Sequence, residues 1–210
     1  MTRIYRYILA TDNGMAPCSD DGVLTLATCK PRIRANASIG DWVAGFMPGS
    51  SHRGELVWAG RIGQNTSTGD YHLANPTRSD AVYRQTANGF DSLRKGYHCD
   101  PRQKDRDTVN PVLVFLAGQS WYFGSQPRQL PDSLMHLAAD VRDYRFNPRQ
   151  DGDLSAWEAW LATEPPGIHG SPRDKLVLCP GCRYCGSGPK DPNGCGKGPK
   201  SKRRPKPKSC

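Results

Sequence analysis

The sequence predicts an α+β domain, a small mixed β-barrel with flanking helices, followed by a cysteine-rich segment and a basic tail. Three observations carry this. Short β-favouring runs separated by turns fill the first 62 residues, and two runs with helical apolar spacing follow residue 130. After Gly186 apolar residues give way to Gly, Pro, Lys and Ser.

The elements follow in order. Arg3–Ala10 carries Ile4, Tyr5, Tyr7, Ile8 and Leu9, which suit a pleated, half-buried surface, and Thr11-Asp12-Asn13-Gly14 supplies a turn. Val23–Cys29 is a second strand, stopped by Lys30-Pro31. Gly40-Asp41 turns into Trp42–Phe46, and Glu55–Ile62 reads as its antiparallel return. A short helix is expected over Ser79–Arg84, inside a polar stretch (64–110) whose length points to function rather than scaffold. Val112–Leu116 and Trp121–Gly124 read as a hairpin. Leu134, Leu137, Ala138 and Val141 have helical spacing after Pro131-Asp132, and Asp153 caps a second helix through Leu161, ended by Pro165-Pro166-Gly167.

The charge is unevenly placed. Of the formal net +9, residues 179–210 carry +8, so the body is nearly neutral. No apolar run approaches the length that spans a bilayer, and the N-terminus lacks the pattern of a secretory signal. A cytoplasmic chain is expected, with its eight cysteines as thiols or metal ligands rather than disulfides. The organisation divides into a body (1–172), a cysteine-rich knuckle (173–196) and a disordered basic tail (197–210).

The runs YRYILATDNGMAP and LTLATCKPRIRANASIGDWVAGF, then RDTVNPVLVFLAGQSWYFG followed by LPDSL, resemble the second type of nucleotide modification associated domain. The likeness covers residues 3–135 and extends weakly through AWEAWL to 172. It implies a setting in phage or bacterial systems that make or handle modified DNA bases. The Gly-Asp turn into an aromatic strand with a long return is also similar to PUA-like barrels, which implies a barrel-mouth pocket able to hold a base.

Several residues suit that role. Lys30, Arg32 and Arg34 form the body's densest basic cluster, with Ile33 facing inward; guanidinium groups grip phosphate, though a solvated loop would look the same. Trp42 and Trp121 are the aromatics chosen to stack a base, against ordinary core packing. Asp41 is a hydrogen-bond acceptor for a base amine or a turn cap. Asp12 and Asn13 could read a base edge or close a turn. Gly49–Gly54 lacks the Gly-Lys-Ser/Thr signature of a nucleotide-binding loop.

No catalytic motif stands out. The five histidines are scattered, and only Tyr97-His98-Cys99-Asp100 sets a nucleophile beside a base, with neighbours that point apart on a strand. Cys179, Cys182, Cys185 and Cys195 offer four thiolates for zinc, with an iron–sulfur cluster as the alternative and unliganded thiols as the plain reading. Residues 197–208 hold seven cations, Lys202, Arg203 and Arg204 among them, and no acid, which suits sequence-independent phosphate binding. The expectation is a module that recognises modified bases or nucleotides on DNA. The alternatives are an enzyme of base or nucleotide modification and a metal-knuckle subunit that docks a protein partner.

Overall fold

A computed structural model describes residues 2–98, 100–140, 144 and 152–178. The predicted metal ligands and the basic tail lie outside these residues. The architecture is mixed α+β: one seven-stranded sheet curled into a half-barrel, a small separate hairpin and few helices. The sheet runs β1 (Ile4–Ile8), β3 (Trp42–Phe46), β4 (Glu55–Thr66), β7 (Val112–Tyr122), β2 (Thr25–Leu26), with β8 (Arg128–Gln129) on β4 and β9 (Gly167–Ile168) on β7. Its path ends at β1 and β2, so the closed barrel expected from the sequence is only half built. β1 and β3 are parallel, whereas β3, β4, β7 and β2 follow one another antiparallel.

Both faces of the sheet are buried, which follows from the two-residue alternation of strands. Ile4, Trp42, Ala44 and Phe46 point into one core, completed by Trp121, Leu134, Leu137, Trp157 and Leu161. Tyr5, Tyr7 and Val43 point into the other, with Leu26, Ile33, Trp58, Leu113, Phe115 and Tyr122. Gly45 is required here: a Cβ would lie 2.3 Å from Trp58 Nε1, which donates to Tyr7 Oη at 3.1 Å. α4 (Asp153–Leu161) covers the first core through Trp157 and Leu161. Its N-cap is Gly152, while Asp153 accepts from, or shares a proton with, His136 Nε2 at 2.9 Å.

Five expectations about single elements fail. The second strand shrinks to Thr25–Leu26, and the basic segment after it is not a strand end but α1 (Pro31–Asn36). Proline at the first helical position lacks only an N–H that the helix leaves unpaired anyway. Ser79–Arg84 is not helical: Arg78 and Asp80 are drawn into a buried network with Thr25 and Tyr71, and Tyr83 opens β5 (Tyr83–Thr86), paired with β6 (Gly89–Ser92). Residues 112–122 form one long strand rather than a hairpin. Asp132–Leu137 is a 3₁₀ turn rather than the start of an α-helix.

The polar stretch between β4 and β7 holds α2 (Thr68–Ala74), the β5–β6 hairpin and α3 (Pro101–Thr108). α3 starts on Asp100, whose side chain accepts from the Arg102 N–H, and among its residues only Asp107 is buried. A helix polar on every side with one buried carboxylate is held by that carboxylate.

Candidate functional site

The chain leaves β2, buries Ala27 and Thr28, and reverses at Cys29 and Lys30 before Pro31 opens α1. Cys29 and Lys30 take φ of 58° and 42°, and His98, in the loop before α3, takes 44°. A left-handed backbone at a residue with a side chain costs on the order of 1–3 kcal/mol and persists where the surroundings impose it. Among the described residues, only Asp21 otherwise shares this conformation outside glycine.

The two loops meet over Asp107. Cys29 Sγ lies 3.4 Å from His98 Nε2, and His98 Nδ1 lies 2.5 Å from Asp107 Oδ2. Asp107 Oδ1 accepts the Cys29 N–H at 2.8 Å, and Oδ2 also accepts the Tyr83 hydroxyl at 3.0 Å. One carboxylate therefore orients both the backbone of the nucleophile and the ring of the base. His98 and Asp107 are buried, and Cys29 is part-exposed as a residue.

Arg34 holds the arrangement from beneath. It is fully buried, its Nη2 donates to the carbonyls of Asp107 (2.6 Å) and Asn110 (2.8 Å), and its Nε donates to that of Pro111 (2.8 Å). Nη1 lies 3.6 Å from Asp107 Oδ1. The guanidinium thus closes the C-terminal end of α3, where carbonyls lack helical partners and a cation is favoured. Arg34, expected to grip phosphate, is instead the tie between α1 and α3.

The charges of the site balance in pairs. Burial opposes ionisation of the Cys29 thiol, and Asp107 does so too, but the imidazole of His98 and the ammonium of Lys30 outweigh them and hold the thiol below its ordinary pKa. Burial likewise opposes charge on His98, yet the Cys29 sulfur and the Asp107 carboxylate hold its pKa up at about 10. The Cys29 thiol and the His98 imidazole thus favour each other's charged form, with Arg34 and Asp107 as the second pair. Buried charge is tolerable in this form because each ion faces its opposite. Cys18 is the contrast: buried and near Asp80, its thiol is pushed up to about 12.

The other residues expected to bind a base or phosphate are dispersed. Lys30 follows the nucleophile, its Nζ 3.9 Å from the centre of the Tyr7 ring, and Arg32 is exposed over Tyr144. Asp41 caps its turn, Oδ1 accepting from Arg3 N–H (2.8 Å) and Oδ2 from Ser38 N–H (3.0 Å). Trp42 packs between Trp121 and Trp157 and donates to Glu158 at 3.1 Å; Trp121 donates to the Glu164 carbonyl at 2.9 Å. Both indoles are core rings without an open face. Asp12 accepts from Tyr122 Oη (2.8 Å), its N–H donates to Asp174 Oδ2 (2.8 Å) and its carbonyl accepts the Asp174 N–H (2.8 Å), fastening the chain's later segment to the turn after β1. Asn13 accepts from Met15 N–H within its own turn.

Among the described residues no group of three or more His, Cys, Asp or Glu side chains is arranged to hold a metal ion, and no helix is long and apolar enough to cross a membrane. Compared with known sequences, residues 1–81 and 75–178 match the profile described as nucleotide modification associated domain 2. No curated protein and no solved structure matches.

Proposed function

The chain belongs to the nucleotide modification associated domain 2 family, and we propose that it is a cysteine-dependent enzyme of nucleotide or DNA base modification. Membership gives it a role in a nucleotide or DNA modification system. The observation that carries the enzymatic reading is the series Cys29, His98, Asp107, three groups in contact in the order nucleophile, proton carrier, orienter.

The chemistry follows from where the protons start. Cys29 Sγ forms a bond to an electrophilic carbon of the substrate, and the bond from that carbon to its leaving group breaks. The leaving group takes the proton from His98 Nε2. Neutral His98 then takes a proton from an incoming water or amine, which bonds to the same carbon and releases Cys29 as thiolate. Asp107 keeps Nδ1 protonated throughout, so Nε2 is the nitrogen that gives and receives.

A panel of canonical and modified nucleotides and oligonucleotides, with turnover followed for wild type and Cys29→Ala, tests this reading. Loss of at least about 10²-fold in rate is expected for the variant. Equal turnover in Cys29→Ala contradicts it. Selective binding of a modified nucleotide with no turnover by either protein would favour the second reading, a recognition module. That reading draws on the sequence itself: seven cations in residues 197–208 would add phosphate affinity without specificity. The set Cys179, Cys182, Cys185 and Cys195 is proposed to bind zinc, and metal analysis after anaerobic purification checks it; iron with acid-labile sulfide would contradict it.

A further inference from the structure

We propose that Tyr97 is a positioning residue of the Cys29–His98 pair, acting with Thr28 as a tie between the loop that carries the sulfur and the loop that carries the imidazole. This rests on the reading of Cys29 as the nucleophile. The residues immediately before Cys29 and His98 are themselves bonded: Tyr97 Oη lies 2.8 Å from Thr28 Oγ1, and both side chains are buried. The two loops are therefore joined twice in succession, Thr28 to Tyr97 and Cys29 to His98.

The tyrosine ring does a second thing. It stacks on the His98 imidazole, with ring centres 4.1 Å apart and planes within 11° of parallel. A cation over an aromatic face is attracted to it, so the stack favours the charged imidazole and restricts its rotation about the Cβ–Cγ bond. The hydroxyl reaches toward the sulfur as well, at 3.9 Å from Cys29 Sγ. Tyr97 packs in one buried cluster with Met15, Val82 and Tyr83. The strained φ at both Cys29 and His98 explains why such a tie is needed: neither loop holds its conformation by local preference.

The pair faces few other titratable groups. Lys30 and Arg34 face it from α1 and the turn before it, Asp107 from α3, Tyr83 from β5 and Tyr7 from β1. Removing the Tyr97 hydroxyl alters none of these. A loosened pair therefore reads out as a change in the thiol's own titration.

The test measures carboxamidomethylation of Cys29 by iodoacetamide across pH, resolved by mass spectrometry on the full chain. Wild type, Tyr97→Phe, Thr28→Val and Thr28→Ser are compared. Tyr97→Phe keeps the stack and loses the tie; Thr28→Val removes it from the other side; Thr28→Ser retains it. Tyr97→Phe and Thr28→Val are expected to raise the midpoint alike, by about half a pH unit, a roughly threefold loss of rate at pH 6. Thr28→Ser is expected to titrate as wild type. Wild-type midpoints in both tie-breaking variants would overturn the positioning role while leaving Cys29 as nucleophile. A wild-type midpoint at the ordinary thiol value of about 8.5 would overturn the nucleophile reading itself, and this inference with it.

Discussion

Asp107 touches Cys29 and His98 at once: Oδ1 takes the cysteine's backbone N–H at 2.8 Å while Oδ2 takes the histidine's Nδ1 at 2.5 Å. A single side chain on α3 thus sets the relation between two loops that are far apart in sequence. The same carboxylate accepts the Tyr83 hydroxyl and faces the Arg34 guanidinium, and the helix that bears it presents no other buried residue.

Asp107→Asn keeps the shape and removes the charge. It leaves Arg34 buried without its counter-ion and places an amide where His98 Nδ1–H needs an acceptor. Stability is expected to fall by roughly 3 kcal/mol, as for breaking a buried ion pair from one side. Urea unfolding measures this, and an unchanged midpoint would mean the carboxylate is not paired as described.

Arg34→Lys tests the tie between α1 and α3. Lysine retains a charge but cannot serve three carbonyls in the directions of a planar fork. A loss of about 2 kcal/mol is expected, since one buried acceptor or more is left unpaired. Hydrogen exchange at the C-terminal turn of α3 should rise in the same variant.

Gly45→Ala addresses the fold rather than the site. The added methyl would overlap the Trp58 indole, whose N–H is bonded to Tyr7. Overpacking of this kind costs about 1–3 kcal/mol, read from thermal or urea unfolding.

His98→Gln removes the imidazolium that holds the Cys29 thiol down. The alkylation midpoint of Cys29 should move upward, because burial and Asp107 then act against ionisation with only Lys30 opposing them. At pH 6 the reactive thiolate fraction falls, and raising the pH restores it. A midpoint unchanged from wild type would show that His98 does not set the thiol's state.

Part of this arrangement is legible in the sequence and part is hidden in it. β3 and β4 were readable because alternation, the Gly40-Asp41 turn and β-favouring residues all agree. α1 was not, because Lys30-Pro31 reads equally as a strand stop and as a helix start, and only the left-handed Lys30 decides it. The apolar runs of β7 read as two strands because Gly118, Gln119 and Ser120 interrupt them in the middle of one, where residues 116–118 are exposed. The site was hidden for a different reason. Cys29 stands 69 residues before His98, and His98 stands 9 before Asp107 on the next element. No local motif spans such spacings, and the thiol next to His98 in sequence is Cys99, whereas folding pairs His98 with Cys29. The length and polarity of residues 64–110 were the one usable signal, and the base and the orienter both lie there.

Removal of residues 197–210 should lower affinity for duplex DNA at low salt and flatten its salt dependence. Neutralising seven phosphates would contribute a slope of about −6 in log affinity against log salt. Fluorescence anisotropy with and without the tail measures it, and an unchanged slope would remove the tail from DNA binding.

The most direct measurement is site-resolved alkylation at pH 6, comparing Cys29 with Cys18 in the same folded protein. Cys29 is expected to be modified at least about tenfold faster, because its thiol is held down by His98 while burial holds that of Cys18 up. Equal rates at the two cysteines, or labelling of Cys29 only at the pH of an ordinary thiol, would contradict a catalytic thiolate at this site.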